Sequence, residues 1–110
     1  MTDIADEGKL ITLARGARSR VIATEGAALS DETGRTYSAA AVELPSLKLS
    51  ALELAVANAA ASGARGVEAA VVCGHPEDVS GLEALRDLGG ADVPVLVVDP
   101  RGEVLARLTT

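Results

Sequence analysis

The sequence predicts an α/β domain of three helices and five strands, in the order α-β-β-α-β-α-β-β. Apolar residues recur at helical spacing in three segments, and short apolar runs bounded by turn residues lie between them. Two Asp-x-x-Gly turns, Asp31-Glu32-Thr33-Gly34 and Asp99-Pro100-Arg101-Gly102, stand where a chain must double back. The 110 residues leave room for one domain, spanning 1–110, and 48% of them are hydrophobic, too many for a disordered chain.

The first helix is expected from about Ile4 to Val21. Leu10, Leu13, Ala14, Ala17 and Val21 share one stripe, and Arg15, Arg18 and Arg20 lie off it as a solvated basic face. Gly26 to Leu29 and Arg35 to Val42 form a hairpin around Asp31–Gly34, because Asp bonds its own backbone and Gly accepts a positive φ. Tyr37 reads as a packing residue with its hydroxyl in water. Glu43-Leu44-Pro45-Ser46 breaks the second strand. A helix from Leu47 to Ser62 follows, stopped by Gly63. Leu49, Leu52, Val56, Ala59 and Ala60 mark one apolar face of it, and Leu47, Ala51, Leu54 and Ala55 mark another. Two apolar faces imply two covers, the second of them another subunit.

Val67 to Cys73 is a short apolar strand ended by Gly74-His75-Pro76. The third helix is expected from about Ser80 to Leu88, with Ser80 and Glu83 at capping-box spacing and Leu82, Leu85 and Leu88 facing inward. Val93 to Val98 is the most apolar strand. The Asp99–Gly102 turn is too short for a parallel crossover, so Glu103 to Leu108 returns antiparallel to it.

The chain has no Phe, no Trp and a single Tyr. A core of Ala, Val and Leu lets elements approach closely but buries little area per residue. At roughly 25 cal/mol per Å² that leaves a small domain little margin, so a homodimer or homotetramer is expected. The net charge of −6, without a basic face, excludes a nucleic-acid groove, and the missing aromatics exclude base stacking. No run of 18 apolar residues predicts a membrane span, and the acidic start, Met1 to Glu7, is not a signal peptide. One cysteine, Cys73, permits no internal disulfide. The expected location is the cytoplasm.

Local stretches add to the order of elements. Gly26-Ala27-Ala28-Leu29 with Asp31 to Arg35, Ala41-Val42-Glu43-Leu44, Ser50-Ala51-Leu52, Val71-Val72 followed by Ser80 to Leu88, and Val93-Pro94-Val95 with Gly102-Glu103 fall at the spacing of corresponding stretches in the cytidine deaminase family. On these stretches nearly the whole chain resembles that family. The resemblance implies a three-layer fold with a mixed five-stranded sheet. It also implies the chemistry that the family performs: three Cys/His ligands hold Zn²⁺, and a Glu two residues after the first ligand shuttles a proton to and from the metal-bound water. Here Ser50 stands at the first ligand position, Leu52 at that Glu, and Gly81 and Ala84 at the paired cysteines. Ala41 replaces the ribose-binding Asn, whereas Glu43 matches the ribose-binding Glu. The single Cys and single His of the chain lie outside these segments. The segment between Leu44 and Ser50 is shorter than in the family. No catalytic residue, metal or cofactor is therefore expected by the family's route.

Glu43 and Ser50 remain as candidate ligand-binding residues, with a solvated strand-end carboxylate as the plain alternative for Glu43. Ser50 with Glu53 can be read as a nucleophile and its neighbour, but Ser-x-x-Glu is the capping-box pattern, worth about 1 kcal/mol for the cap. Cys73-Gly74-His75 can be read as a metal pair or as nucleophile and base. Two ligands do not close a zinc site, and a core Cys beside a loop His is the simpler reading. Three functions follow: an inactive cytidine-deaminase-like protein acting by self-assembly or partner binding, a residual nucleoside or small-molecule binder using Glu43, and a metal-free hydrolase built on Ser50, Cys73 or His75.

Overall fold

A computed structural model describes residues 4–20 and 24–110, with side chains in the first helix from Glu7 onward. Helix α1 (Ile4–Arg20) leads into a hairpin of β1 (Gly26–Asp31) and β2 (Thr36–Ala40). A second, small hairpin of β3 (Val42–Leu44) and β4 (Leu47–Leu49) follows, then α2 (Ala51–Ala61), β5 (Val67–Cys73), α3 (Leu82–Gly89), β6 (Pro94–Val98) and β7 (Val104–Thr109). Val21, the last residue of the expected helical stripe, lies outside the described residues.

The large sheet has the order β2-β1-β5-β6-β7. It is mixed: β5 and β6 run parallel, and β1–β2, β1–β5 and β6–β7 are antiparallel. Strand alternation sends Ala27, Leu29, Ala70, Val72 and Val95 to one face, where α2 and α3 cover them. Ala28, Ala69, Val71, Cys73, Leu96 and Val98 point to the other face, where Leu10 and Ala14 of α1 meet them. The result is three layers, α1, sheet, and α2 with α3.

Two helix boundaries differ from expectation. Leu47 to Leu49 form a strand, and the helix starts only at Ala51. Pro45-Ser46 is a two-residue turn that pairs Leu44 with Leu47, Glu43 with Lys48 and Val42 with Leu49. The apolar residues Leu47 and Leu49 are two apart, which is strand spacing, and Ser50 caps the helix behind them. The buried side of α2 is then a single one, Ala51, Leu52, Ala55, Val56 and Ala59, while Ala60 is exposed and Leu54 half-buried. The second boundary concerns α3. Gly81, not Ser80, is its N-cap, at φ 114°, and no side chain caps it. Ser80 therefore does not form the expected capping box with Glu83.

Candidate functional site

Three of the residues singled out by the sequence, Ala41, Glu43 and Ser50, gather at the N-terminal end of α2, next to the β3–β4 hairpin. A cleft of about 450 Å³ opens there, lined by Thr24, Ala41, Glu43, Lys48, Ser50 and Glu53 among others. Glu43 and Lys48 sit opposite each other on the hairpin, both exposed. Lys48 was not singled out in the sequence because Leu47 to Leu49 read as helix. As a strand, the same three residues place it across from Glu43.

Ser50 is the best-connected group in this region. Its Oγ accepts the Glu53 amide at 3.0 Å, and Glu53 Oε1 accepts the Ser50 amide at 2.8 Å, which together make the capping box. The same hydroxyl donates to the Ser80 carbonyl at 2.7 Å, just ahead of α3. Glu25, which carries no local sequence signal, reaches across from the start of β1 and accepts the Ala51 amide at 2.8 Å through Oε1. Two carboxylates thus occupy the N-terminus of α2, where the helix dipole favours negative charge.

Leu52, Gly81 and Ala84 do not line the cleft. Leu52 is 1% exposed and belongs to the core under α2. Ala84 is half-buried and packs against that core. Gly81 lies against α2 so closely that a Cβ there would come within 3.1 Å of both the Glu53 amide nitrogen and Leu52 Cβ.

Cys73 and His75 are not brought together as a pair. Cys73 is fully buried in the layer between sheet and α1, opposite the cleft, and its thiol meets the Asp99 carbonyl at 3.5 Å. Burial pushes that thiol's pKa up, against the smaller opposing pull of Arg18 and Arg15, so it is held in its non-nucleophilic form. His75 is exposed. Two other expectations are corrected. The Tyr37 hydroxyl is not simply in water but donates to Asp31 Oδ2 at 3.0 Å. Arg15 is exposed, yet its Nε donates to the Pro100 carbonyl at 2.9 Å and ties α1 to the β6–β7 turn.

The three layers and the mixed sheet order define the class of α/β scaffold to which the chain belongs. The model of the family described as "Cytidine deaminase-like" matches residues 3–102. The chain belongs to the cytidine deaminase-like family. Among solved structures it is similar to a cytidine deaminase from Burkholderia pseudomallei, with a TM-score of 0.78 and 26% identity over 100% of this chain and 92% of that one. It shares its fold with cytidine deaminase from Mycobacterium leprae, at TM-score 0.72 and 19% identity over 93% and 91% of the two chains. A mutant cytidine deaminase from Mycobacterium tuberculosis superposes at TM-score 0.69 and 20% identity, over 80% and 82%. No curated protein matches the chain by sequence.

The metal that this family implies can be tested against the residues present. Gly81 and Ala84 have no donor atom, and the Ser50 hydroxyl is already engaged as both donor and acceptor. Among the described residues no group of three or more His, Cys, Asp or Glu is placed to hold a metal ion. The residues that the resemblance sets at the family's ligand positions, Ser50, Gly81 and Ala84, do not fit zinc. Among the described residues, too, no helix is long and apolar enough to cross a membrane.

Proposed function

We propose that this chain is a non-hydrolysing member of the cytidine deaminase-like family that works by association, with copies of itself or with a protein partner. One observation carries the reading: the four residues that the resemblance sets at the family's metal ligands and proton shuttle all have structural tasks here. Ser50 caps α2, Leu52 fills the core, Gly81 starts α3, and Ala84 packs beneath it. None of these four is left to hold a metal, activate water or move a proton by the family's route. The full burial of Cys73 and the exposure of His75 also speak against a metal-free nucleophile. Association is supported by the small-residue core and by four exposed large apolar side chains, Leu44, Leu47, Val104 and Leu105.

The test is elemental analysis of the purified protein together with a cytidine deamination assay. Zinc far below one atom per chain and no ammonia release are expected. Near-stoichiometric zinc with turnover would overturn the reading.

The cleft favours a second reading, a binder of small polar molecules. Glu43 and Lys48 offer opposite charges at its rim, and the resemblance sets Glu43 at the family's ribose-binding position. On this reading nucleosides raise the melting temperature and Glu43→Ala removes the shift. A nucleoside panel that leaves the melting temperature unchanged rules it out.

A further inference from the structure

The N-terminus of a helix leaves backbone amides without intrahelical partners, and something must satisfy them where the helix end is packed against protein. At α2 the chain supplies its own groups. Ser50 Oγ takes the Glu53 amide, Glu25 takes the Ala51 amide, and Glu53 returns to the Ser50 amide. What distinguishes this end from an ordinary cap is the other half of the Ser50 hydroxyl. Its proton goes to the Ser80 carbonyl, which belongs to the segment entering α3, 30 residues on in sequence. One oxygen therefore serves the first turn of α2 and the approach to α3 at once.

Gly81 completes the arrangement. Its φ of 114° turns the chain directly into α3, and its lack of a side chain lets the backbone rest against Glu53 and Leu52. A side chain here would be strained by the backbone and crowded by α2. The Gly81 carbonyl then accepts the Leu85 amide at 2.9 Å, the first bond of α3. Ser50 and Gly81 stand at two of the positions where the family's metal would join these same two helices.

We propose that Ser50 and Gly81 form a metal-independent clasp that joins α2 to α3 where the family's zinc would do so. The clasp is a hydroxyl shared between a helix cap and a carbonyl, closed by a glycine contact that admits neither a ligand side chain nor an ion. It rests on the same misfit to zinc as the proposed function, but the role of the Ser50 hydroxyl is read out apart from that, in the exchange of α2 and α3.

Amide hydrogen exchange on the intact chain tests it, with Ser50→Ala, Ser50→Asp and Ser50→Thr as variants. An ordinary cap and a clasp differ in where the damage appears. Ser50→Asp still accepts the Glu53 amide, but as a carboxylate it has no proton for Ser80. Under the clasp, Ser50→Asp keeps protection in the first turn of α2, while the Leu85 amide of α3 exchanges about five- to tenfold faster, as the loss of one hydrogen bond implies. Ser50→Ala accelerates exchange in both helices, and Ser50→Thr behaves as the parent chain. One equivalent of zinc, or excess chelator, leaves exchange in α2 and α3 of the parent chain unchanged. Unaltered α3 exchange in both Ser50→Ala and Ser50→Asp would reduce Ser50 to a local cap and overturn the proposal. So would zinc-dependent protection of α2 and α3 in the parent chain.

Discussion

At each of the two long hairpin turns one aspartate oxygen gathers the backbone. Asp31 Oδ1 accepts the Thr33 and Arg35 amides at 2.8 and 3.0 Å, and Asp99 Oδ1 accepts the Arg101 and Glu103 amides at the same two distances. The backbone bonds repeat as well. Gly34 donates to the Asp31 carbonyl and Gly102 to that of Asp99, with φ of 87° and 90°. Both aspartates work as anions. Burial pushes the Asp31 carboxyl up, but the bonds from Thr33, Tyr37 and Arg35 together outweigh it and hold the group below the ordinary value of 3.8. For Asp99 the bond from the Glu103 amide leads, and the balance is again downward. A carboxylate whose pKa falls on folding stabilises the fold above its unfolded pKa. That contribution disappears as pH falls through the folded value. Urea midpoints should therefore hold steady from pH 7 to about pH 5 and decline below about pH 4. Asp31→Asn should lower the melting temperature at pH 7 by on the order of 5 °C and flatten the acid limb. An acid limb unchanged in Asp31→Asn would refute the assignment.

The elements show why a chain with a single aromatic side chain can still form three layers. Helix α1 rests on β1 at Gly26, where a Cβ would collide with the Ala14 carbonyl and lie 2.8 Å from the Arg18 amide nitrogen. Ala14 and Ala17 on the helix and Ala28 and Ala69 on the sheet are small and buried, which permits that approach. Gly26→Ala must push the helix outward, and a cost of about 3 kcal/mol is expected from overpacking. Urea denaturation measures it, and a variant as stable as the parent would show that α1 is not seated on β1 in this way. The five strands of the large sheet and both Asp-Gly turns were legible in the sequence because their signals are local: apolar runs, and an Asp three residues before a Gly. The two helix starts were less legible. Leu47-Lys48-Leu49 fits either helix or strand until the Pro45-Ser46 turn pairs it with Val42 to Leu44. Ser80 and Glu83 have the spacing of a cap, but the Ser80 carbonyl is bonded to Ser50 and the helix begins after Gly81. The same limit applies to the site. Ser50 and Glu53 announced their cap, whereas Glu25 could not be found, because its partner, the Ala51 amide, is 26 residues away.

On the scale of the whole molecule, the exposed large apolar side chains among the described residues form two separate groups. Leu44 and Leu47 face each other on the hairpin that follows edge strand β2, and Val104 and Leu105 open β7, the strand at the other edge of the sheet. Four large apolar groups between 45% and 54% exposed are costly on a chain whose core is built of Ala, Val and Leu. Two patches on opposite edges suit two different two-fold contacts, the arrangement of a tetramer made from two dimers. Light scattering at micromolar concentration should then give a multiple of the single-chain mass. Leu44→Glu with Leu47→Glu should remove one contact and leave an intermediate mass, as should Val104→Glu with Leu105→Glu. All four substitutions together should give single chains. If both pairs of patches are contacts, either pair alone halves the assembly. If only one is, the other pair changes nothing and the parent is a dimer. A parent mass equal to one chain would remove self-association altogether and leave a different protein as the only partner for these surfaces.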